Sequence, residues 1–493
     1  MYLVIAEKPS VSRAIAEVIG AQEREDGYLQ GTDCMVSWCF GHLAEYVSPD
    51  AYDEKFNQWR YEDLPIIPKD WKVIVSEDKK DQFYILKRLL NSPEIEYVVN
   101  ACDAGREGEL IFKHVYDLSG SKKPVKRLWI SSLEDSAILD GMQHLRSAEE
   151  YRHLAEAAVC RSQADWLVGM NATRAYTTKY FKKLTVGRVQ TPTLAMLVER
   201  AGQISNFQKE KYFNVELDCD GIPAVKPKIF DPDEAEQLRS RCQGSEAIVT
   251  AVKETEKKVK APKLYDLTTL QREANRIYGM TAKQTLDTAQ SLYEKKLITY
   301  PRTDSQYLTE DMEQTARNVV RQIYEKYQLT GPFDQPEQPD VKKVMNNSKV
   351  TDHHAIIPTM ELASCHLDEL KSWEEKILFL IAVHTVMAMS KDHIYQETEI
   401  EVECQEEIFK AKGKIVLQDG WKLFENCFKN KDRMAIVDPD QEMKERMPKV
   451  TQGQTFYAVA AEKTEHFTSP PKPYSDVIFC ERKEWIGIEE RSS

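Results

Sequence analysis

No run of about 18 apolar residues occurs in this 493-residue chain, so a membrane-spanning helix is not expected. Directly after Met1 comes a strand-like run, Tyr2-Leu3-Val4-Ile5-Ala6, with no basic segment leading into an apolar core, so no secretory signal is read. The cysteines, Cys34, Cys39, Cys102, Cys160, Cys219, Cys242, Cys365, Cys404, Cys427 and Cys480, form no Cys-x-x-Cys pair, which argues against zinc ribbons. A disulfide framework does not suit so long a chain without an export signal, and reduced thiols in a cytoplasmic protein are expected. Internal repeats and long low-complexity segments are missing. So is a Gly-x-x-x-x-Gly-Lys-Ser/Thr loop, which removes the usual means of nucleotide hydrolysis. Basic charge is also in deficit: Lys plus Arg number 67 against 80 Asp plus Glu, a net charge of −13. That balance speaks against a generally basic nucleic-acid binder, yet a local basic groove is invisible to the sum.

What is present is ordinary globular composition, 42% apolar and 30% charged, at a length that calls for three or four domains. Residues 1–145 alternate strand-like and helix-like runs and predict a mainly parallel α/β domain. Residues 146–208 are helical and rich in Ala, Leu and Arg. Residues 209–262 turn β-like, as in Tyr212-Phe213-Asn214-Val215-Glu216-Leu217, and so do residues 376–465, with alternation in Glu397-Thr398-Glu399-Ile400-Glu401-Val402. Residues 263–375 between them are helical. Two β segments around a helical insert predict one discontinuous domain carrying another.

Two acids follow apolar runs. Glu7 and Lys8 come directly after Tyr2–Ala6, and Asp103 comes after Tyr97-Val98-Val99-Asn100-Ala101-Cys102. Open α/β sheets bind ligands beyond the carboxyl ends of their strands. If the two strands are neighbours, both carboxylates project to one spot and suit Mg²⁺ bridging to a phosphate. Lys8 could meet the same phosphate as a point charge. Ala104-Gly105-Arg106-Glu107-Gly108-Glu109 then leads into the helix start Leu110-Ile111-Phe112, adding Glu107 as a third candidate ligand. Either acid alone is more often a solvated loop residue.

A second constellation lies near residue 300. Leu267–Tyr278 reads as a helix ended by Gly279. Thr281-Ala282-Lys283-Gln284 has capping-box spacing, with Leu286, Ala289, Leu292 and Tyr293 on one apolar face behind it. Two helices with a short Gly-containing turn suggest a helix-turn-helix. Leu297-Ile298-Thr299-Tyr300-Pro301-Arg302-Thr303-Asp304-Ser305 follows. A random member of the 22 tyrosines is a packing or surface residue. Tyr300 differs through Arg302, which can hold a phosphate that the phenol attacks. A phenol with a pKa near 10 needs nearby cations to act at neutral pH, and Arg302 and Lys8 are the candidates.

The Tyr-x-Arg-Thr-Asp-Ser string resembles the active-site motif of type IA DNA topoisomerases. The acids resemble the Toprim signature of a Glu after the first strand and then Asp-x-Asp-x-Glu, with Gly105 in place of the middle acid, leaving one carboxylate fewer. Gly41-His42-Leu43, Arg127-Leu128-Trp129-Ile130-Ser131-Ser132, Asp165-Trp166-Leu167-Val168-Gly169-Met170-Asn171, Gly187-Arg188-Val189-Gln190-Thr191-Pro192 and Asp352-His353-His354-Ala355-Ile356-Ile357-Pro358-Thr359 match the family in order. The Glu-Lys-Pro-Ser start favours the topoisomerase III side. The resemblance implies a multidomain α/β and α+β fold. It comprises a Rossmann-like Toprim domain (1–145), a helical arch segment (146–208), a β-rich hinge domain (209–262 and 376–465) and a winged-helix-like tyrosine domain (263–375), arranged as an incomplete toroid.

The same resemblance implies catalytic roles for Tyr300, Arg302, Glu7, Lys8 and His353, with His353 on the scissile phosphate and His354 structural. Arg161, Arg188, Gln190 and Asp304 would contact DNA, and Glu7, Asp103 and Glu107 would hold Mg²⁺. The expected enzyme is a cytoplasmic monomer acting on single-stranded or negatively supercoiled DNA without ATP, with a helicase as candidate partner and no membrane. Residues 466–493 begin a return to the arch but depart from the family after Ser475, so a shortened chain is expected, and a remnant that only binds single-stranded DNA is the alternative reading. A Toprim primase or nuclease would use the acids but not the Tyr300 motif.

Overall fold

Five largely apolar residues in a row cannot leave either face in water, and Tyr2–Ala6 (β1) is the central strand of a seven-stranded sheet. The computed structural model describes residues 1–329, 339–350, 353–425 and 448–474. Asp352 and the part of the expected arch return beyond Tyr474 lie outside the described residues. Pro9–Ile19 (α1) follows β1, with Pro in its first turn and Gly20 closing it at φ 81°, a left-handed conformation that glycine adopts without strain. Cys34–Trp38 (β2) and Tyr97–Ala101 (β3) flank β1, both parallel to it. After helix Arg106–Ser119 (α2), Val125–Arg127 (β4) pairs in parallel with β3. Short antiparallel strands extend both edges, Glu23–Glu25 and Tyr28–Gln30 beyond β2 and Arg146–Ser147 beyond β4. Leu3, Ile5 and Val98 bury on one face, Val4, Ala6 and Val99 on the other.

Arg152–Tyr180 (α3), 29 residues and about 43 Å long, packs back on this domain. Trp166 Nε1 donates to the Val47 carbonyl at 3.0 Å, and Asn171 Nδ2 donates to that of Ile66 at 2.9 Å. Gln190–Ser205 (α4) leads to a second seven-stranded sheet. It is built from Lys211–Asp218 (β5), Pro223–Ile229 (β6), Ala247–Val259 (β7), His393–Cys404 (β8), Glu407–Gln418 (β9), Ala460–Phe467 (β10) and the short pair Thr455–Phe456. Its pairings among the described residues are antiparallel, and strands from before and after the helical block are intermixed in the order Thr455–Phe456, β7, β8, β9, β6, β5, β10.

Residues 209–262 are not all β. Pro232–Cys242 forms a helix (α5), started by Pro232 and by the Asp231 carboxylate, which accepts from the Asp233 and Glu234 amides. Its Ala235, Leu238 and Cys242 cover the sheet.

Between β7 and β8 lie Leu267–Tyr278 (α6), Ala282–Glu294 (α7), Glu313–Tyr327 (α8) and Ser372–Ala388 (α9). Gly279 at φ 68° ends α6, and Thr281 and Gln284 cap α7 reciprocally at 3.0 and 3.2 Å, an arrangement worth about 1 kcal/mol. The boundary expected at residue 375 falls inside α9. The unbroken run Ile377-Leu378-Phe379-Leu380-Ile381-Ala382-Val383 has no period that separates buried helix from buried strand. One buried cluster joins Val4, Ala6 and Ile15 to Leu292, Ile298, Tyr300 and Ile381, so the helical block is packed against the first sheet through continuous apolar contact. No helix among the described residues is long and apolar enough to cross a membrane.

Candidate active site

Because β1 and β3 pair with Ala6 opposite Ala101, the residues that follow them leave the sheet at one edge. Glu7 is 6% exposed. Burial and the charge of Asp103 push its carboxyl up to about 7, against the opposing pull of Lys8, Arg302 and His42. Two carboxylates that repel one another in a buried corner are an unfavourable arrangement for folding.

The direction with pH follows from that shift. Glu7 binds its proton more tightly in the native state than in the unfolded chain, so its contribution favours folding below pH 4.5 and is lost as pH rises to about 7. Glu7→Gln should therefore raise the stability of the metal-free protein at pH 8 by about 1–3 kcal/mol and leave it unchanged at pH 4. Urea denaturation at the two pH values checks this; equal effects at both would remove the Glu7–Asp103 repulsion as the cause.

The loop carrying Asp103 is held by a residue that belongs to a family-matching string but has no role expected from sequence. Arg127, at the end of β4, is 1% exposed. Its Nη1 donates to the carbonyls of Asn100 (3.1 Å), Cys102 (2.7 Å) and Leu128 (2.7 Å), and Nη2 to that of Asp103 (2.9 Å). Its Nε donates to Glu109 Oε1 at 2.6 Å, and the same carboxylate accepts from Asn100 Nδ2. In sequence the pair is an Arg at the end of a short strand and an acid in the first turn of the helix that precedes it. Gly108 lies against the same turn: a Cβ there would stand 2.0 Å from the Asp103 carbonyl oxygen, so no larger residue fits. Arg127→Met leaves Glu109 buried without its cation and should cost about 3–5 kcal/mol, much of it recovered in Arg127→Met with Glu109→Leu. Urea midpoints of the single and double variants decide; equal losses would mean that the pair does not act as a unit.

Tyr300 comes to the acids from the helical block. Its amide donates to the Ser131 carbonyl at 3.0 Å and its hydroxyl to Asp103 Oδ2 at 3.0 Å, across 197 residues of sequence. It is 5% exposed, edge-on to Tyr293 at 5.3 Å. Burial and the Asp103 carboxylate raise its pKa well above the ordinary phenol value, and only Arg302 opposes them strongly. Tyr300 is thus stored protonated. His353 lies 4.4 Å from the Tyr300 ring; Ser131 Oγ is 3.0 Å from its Nδ1, and its Nε2 faces the Ala104 carbonyl. Burial lowers its pKa to about 3, so the ring is neutral. His354 is buried with Nδ1 on the Ala355 carbonyl at 2.8 Å.

The structure does not assemble all the expected sets. Glu107 turns to His42 (3.2 Å), which, with Arg161 and Arg106 nearby, holds its carboxyl below the usual range. The three-acid set Glu7, Asp103 and Glu107 is therefore not gathered, because a closer cation-capable partner takes the third acid. Among the described residues no group of three or more His, Cys, Asp or Glu could hold a metal ion. Glu7 and Asp103 remain as two hard donors, which fit Mg²⁺ when phosphate oxygens complete its shell. Lys8 reaches Glu294 of α7 at 3.7 Å. Arg188 is paired with Asp165, its Nη2 3.2 Å from Oδ2. Gln190 is exposed at the start of α4, and Asp304 is exposed beside the buried Thr303 and Ser305.

Residues 2–133 match the Toprim domain, and residues 149–481 match a family described as DNA topoisomerase. Similar curated proteins include DNA topoisomerase 3 of Bacillus subtilis, 39% identical over 96% of this chain and 66% of that protein. The corresponding protein of Staphylococcus epidermidis is 38% identical over 96% and 65%, and that of Bacillus cereus ATCC 14579 is 35% identical over 98% and 67%. The chain thus spans about two thirds of the length of these relatives. Among solved structures, full-length topoisomerase I from Thermotoga maritima shares the fold, with a TM-score of 0.72 and 23% identity over 100% of this chain and 76% of that one.

Proposed function

The chain belongs to the type IA DNA topoisomerases, on the topoisomerase III side, and on that premise we propose that it cleaves and rejoins one DNA strand through Tyr300. The observation that carries this reading is the hydrogen bond from the Tyr300 hydroxyl to Asp103 at 3.0 Å, which joins the tyrosine of the helical block to the acids of the Toprim sheet.

In the proposed reaction the Tyr300 oxygen attacks a backbone phosphorus, forming a 5′-phosphotyrosine ester while the bond to the 3′ oxygen breaks. Asp103, already the acceptor of the phenol hydrogen, takes the proton. Glu7, with its carboxyl raised to about 7, is placed to give one to the departing 3′ oxygen. Arg302 and Lys8 supply positive charge to the pentavalent phosphate. Asp103, with Glu7 when it is deprotonated, would hold Mg²⁺, which would supply further positive charge beside the phosphate. The reverse sequence reseals the strand. The ester keeps the bond's free energy, so the cycle needs no nucleotide. Since Tyr300 is 5% exposed, a strand must part the contact between sheet and helical block to reach it.

Arg161 on α3, Arg188 in the turn before α4 and Gln190 at the start of α4, with Asp304, are the proposed contacts to single-stranded DNA. The wider reading is relaxation of negative supercoils or decatenation by a cytoplasmic monomer, with a helicase as candidate partner; the free cysteines among the described residues suit that compartment. Incubation with a labelled single-stranded oligonucleotide and Mg²⁺, quenched with denaturant, should yield a covalent adduct. Tight binding with no adduct would leave a DNA-binding protein without cleavage.

A further inference from the structure

We propose that Ser131 is a positioning residue for strand cleavage: its hydroxyl holds the His353 imidazole in the Nε2–H tautomer, so that the ring offers its proton on the side where a phosphate would lie. This rests on the cleavage reading above and goes beyond it in assigning a tautomer and the residue that sets it.

The two ring nitrogens have different partners. Nε2 faces the Ala104 carbonyl, and a carbonyl only accepts, so Nε2 carries the hydrogen. Nδ1 then has a lone pair, and Ser131 Oγ, 3.0 Å away, donates to it. The ring is neutral because of its burial, which excludes the form with hydrogens on both nitrogens. Its plane is set as well: Trp129 stacks at 6.2 Å and 14° on one side, and the Tyr300 ring lies 4.4 Å away.

Ser131 also accepts the Tyr300 amide through its carbonyl at 3.0 Å. A single residue of the Toprim side therefore touches both the nucleophile's backbone and the histidine beside it. When a phosphate enters, its oxygens can replace the Ala104 carbonyl as acceptor at Nε2 without disturbing Ser131 on the opposite edge of the ring. The other tautomer would turn a lone pair toward an anion. Tautomer choice by the remote nitrogen's hydrogen bond is a general property of histidine.

The test uses histidine-labelled full chain. Long-range proton–nitrogen correlation spectra report which nitrogen of His353 is protonated, assigned by loss of the signal in His353→Gln. Wild type should show a protonated Nε2. Ser131→Ala should shift His353 toward a tautomer mixture. It should also slow adduct formation at saturating oligonucleotide by about 10–100-fold, with half-saturating concentration within about 2-fold. Ser131→Thr, which keeps the hydroxyl, should restore both. A wild-type ring protonated at Nδ1, or a Ser131→Ala variant with unchanged tautomer and rate, would overturn the assignment. Absence of adduct from wild type would refute the cleavage reading instead, while the spectra still decide the tautomer.

Discussion

Tyr300→Phe will abolish the covalent protein–DNA adduct while leaving oligonucleotide binding within a few-fold of wild type. The substitution removes one oxygen from a ring that is 5% exposed and packed between Tyr293 and His353. The ring's shape and burial are retained, so no cavity forms. What is lost is one hydrogen bond to Asp103, about 1 kcal/mol in net terms. Phenylalanine cannot form a phosphate ester, so the effect on adduct is complete rather than graded. Denaturing gels of labelled oligonucleotide with each variant measure it. Adduct that persists in Tyr300→Phe would transfer the nucleophile to another residue. Tyr293, edge-on at 5.3 Å and close enough to feel the charges of Asp103 and Glu7, would be the first to examine.

Arg302→Ala is expected to slow cleavage by about 10²–10³-fold, the usual size for removing one cation from a transition state that gathers negative charge. Two effects add here. Arg302 is a main stabiliser of a Tyr300 phenolate against burial and Asp103, and it also opposes the rise of the Glu7 carboxyl. Without it both groups hold their protons more firmly, so the rate should recover in part as pH is raised. Arg302→Lys keeps the charge but not the planar fork, and should fall between the two. Single-turnover cleavage rates from pH 6 to pH 10 provide the measurement. A rate within about 3-fold of wild type at neutral pH would exclude Arg302 from the transition state.

How these groups meet could be read only in part from the chain. The runs Tyr2–Ala6 and Tyr97–Ala101 carry their own placement, since short, largely apolar segments must be covered on both faces and an acid within two residues of each marks a strand end. Helix α7 is similarly local: Thr281 and Gln284 cap it from within four residues. By contrast Pro232–Cys242 was hidden in a β-like region, although Asp231 and Pro232 were a legible start signal. Helix α9 was hidden by uniform apolarity, which erases periodicity.

At the site, local order in the sequence supplied two acids after strands and a tyrosine two residues from an arginine, and the family resemblance added His353. Their protonation and partners belong to tertiary structure. The choice of Glu107 for His42 spans 65 residues, that of Tyr300 for Asp103 spans 197, and that of His353 for Ala104 spans 249. Short-range pattern cannot encode such pairings, because which cation or carbonyl a side chain meets depends on how separate elements pack. Burial then sets the energies, raising Glu7 and Tyr300 and lowering His353 by withholding water from their charged forms. The sequence by itself determined which chemical groups this protein has and which strands and helices carry them; the packing of the helical block on the first sheet decided which of them touch, and in which protonation state.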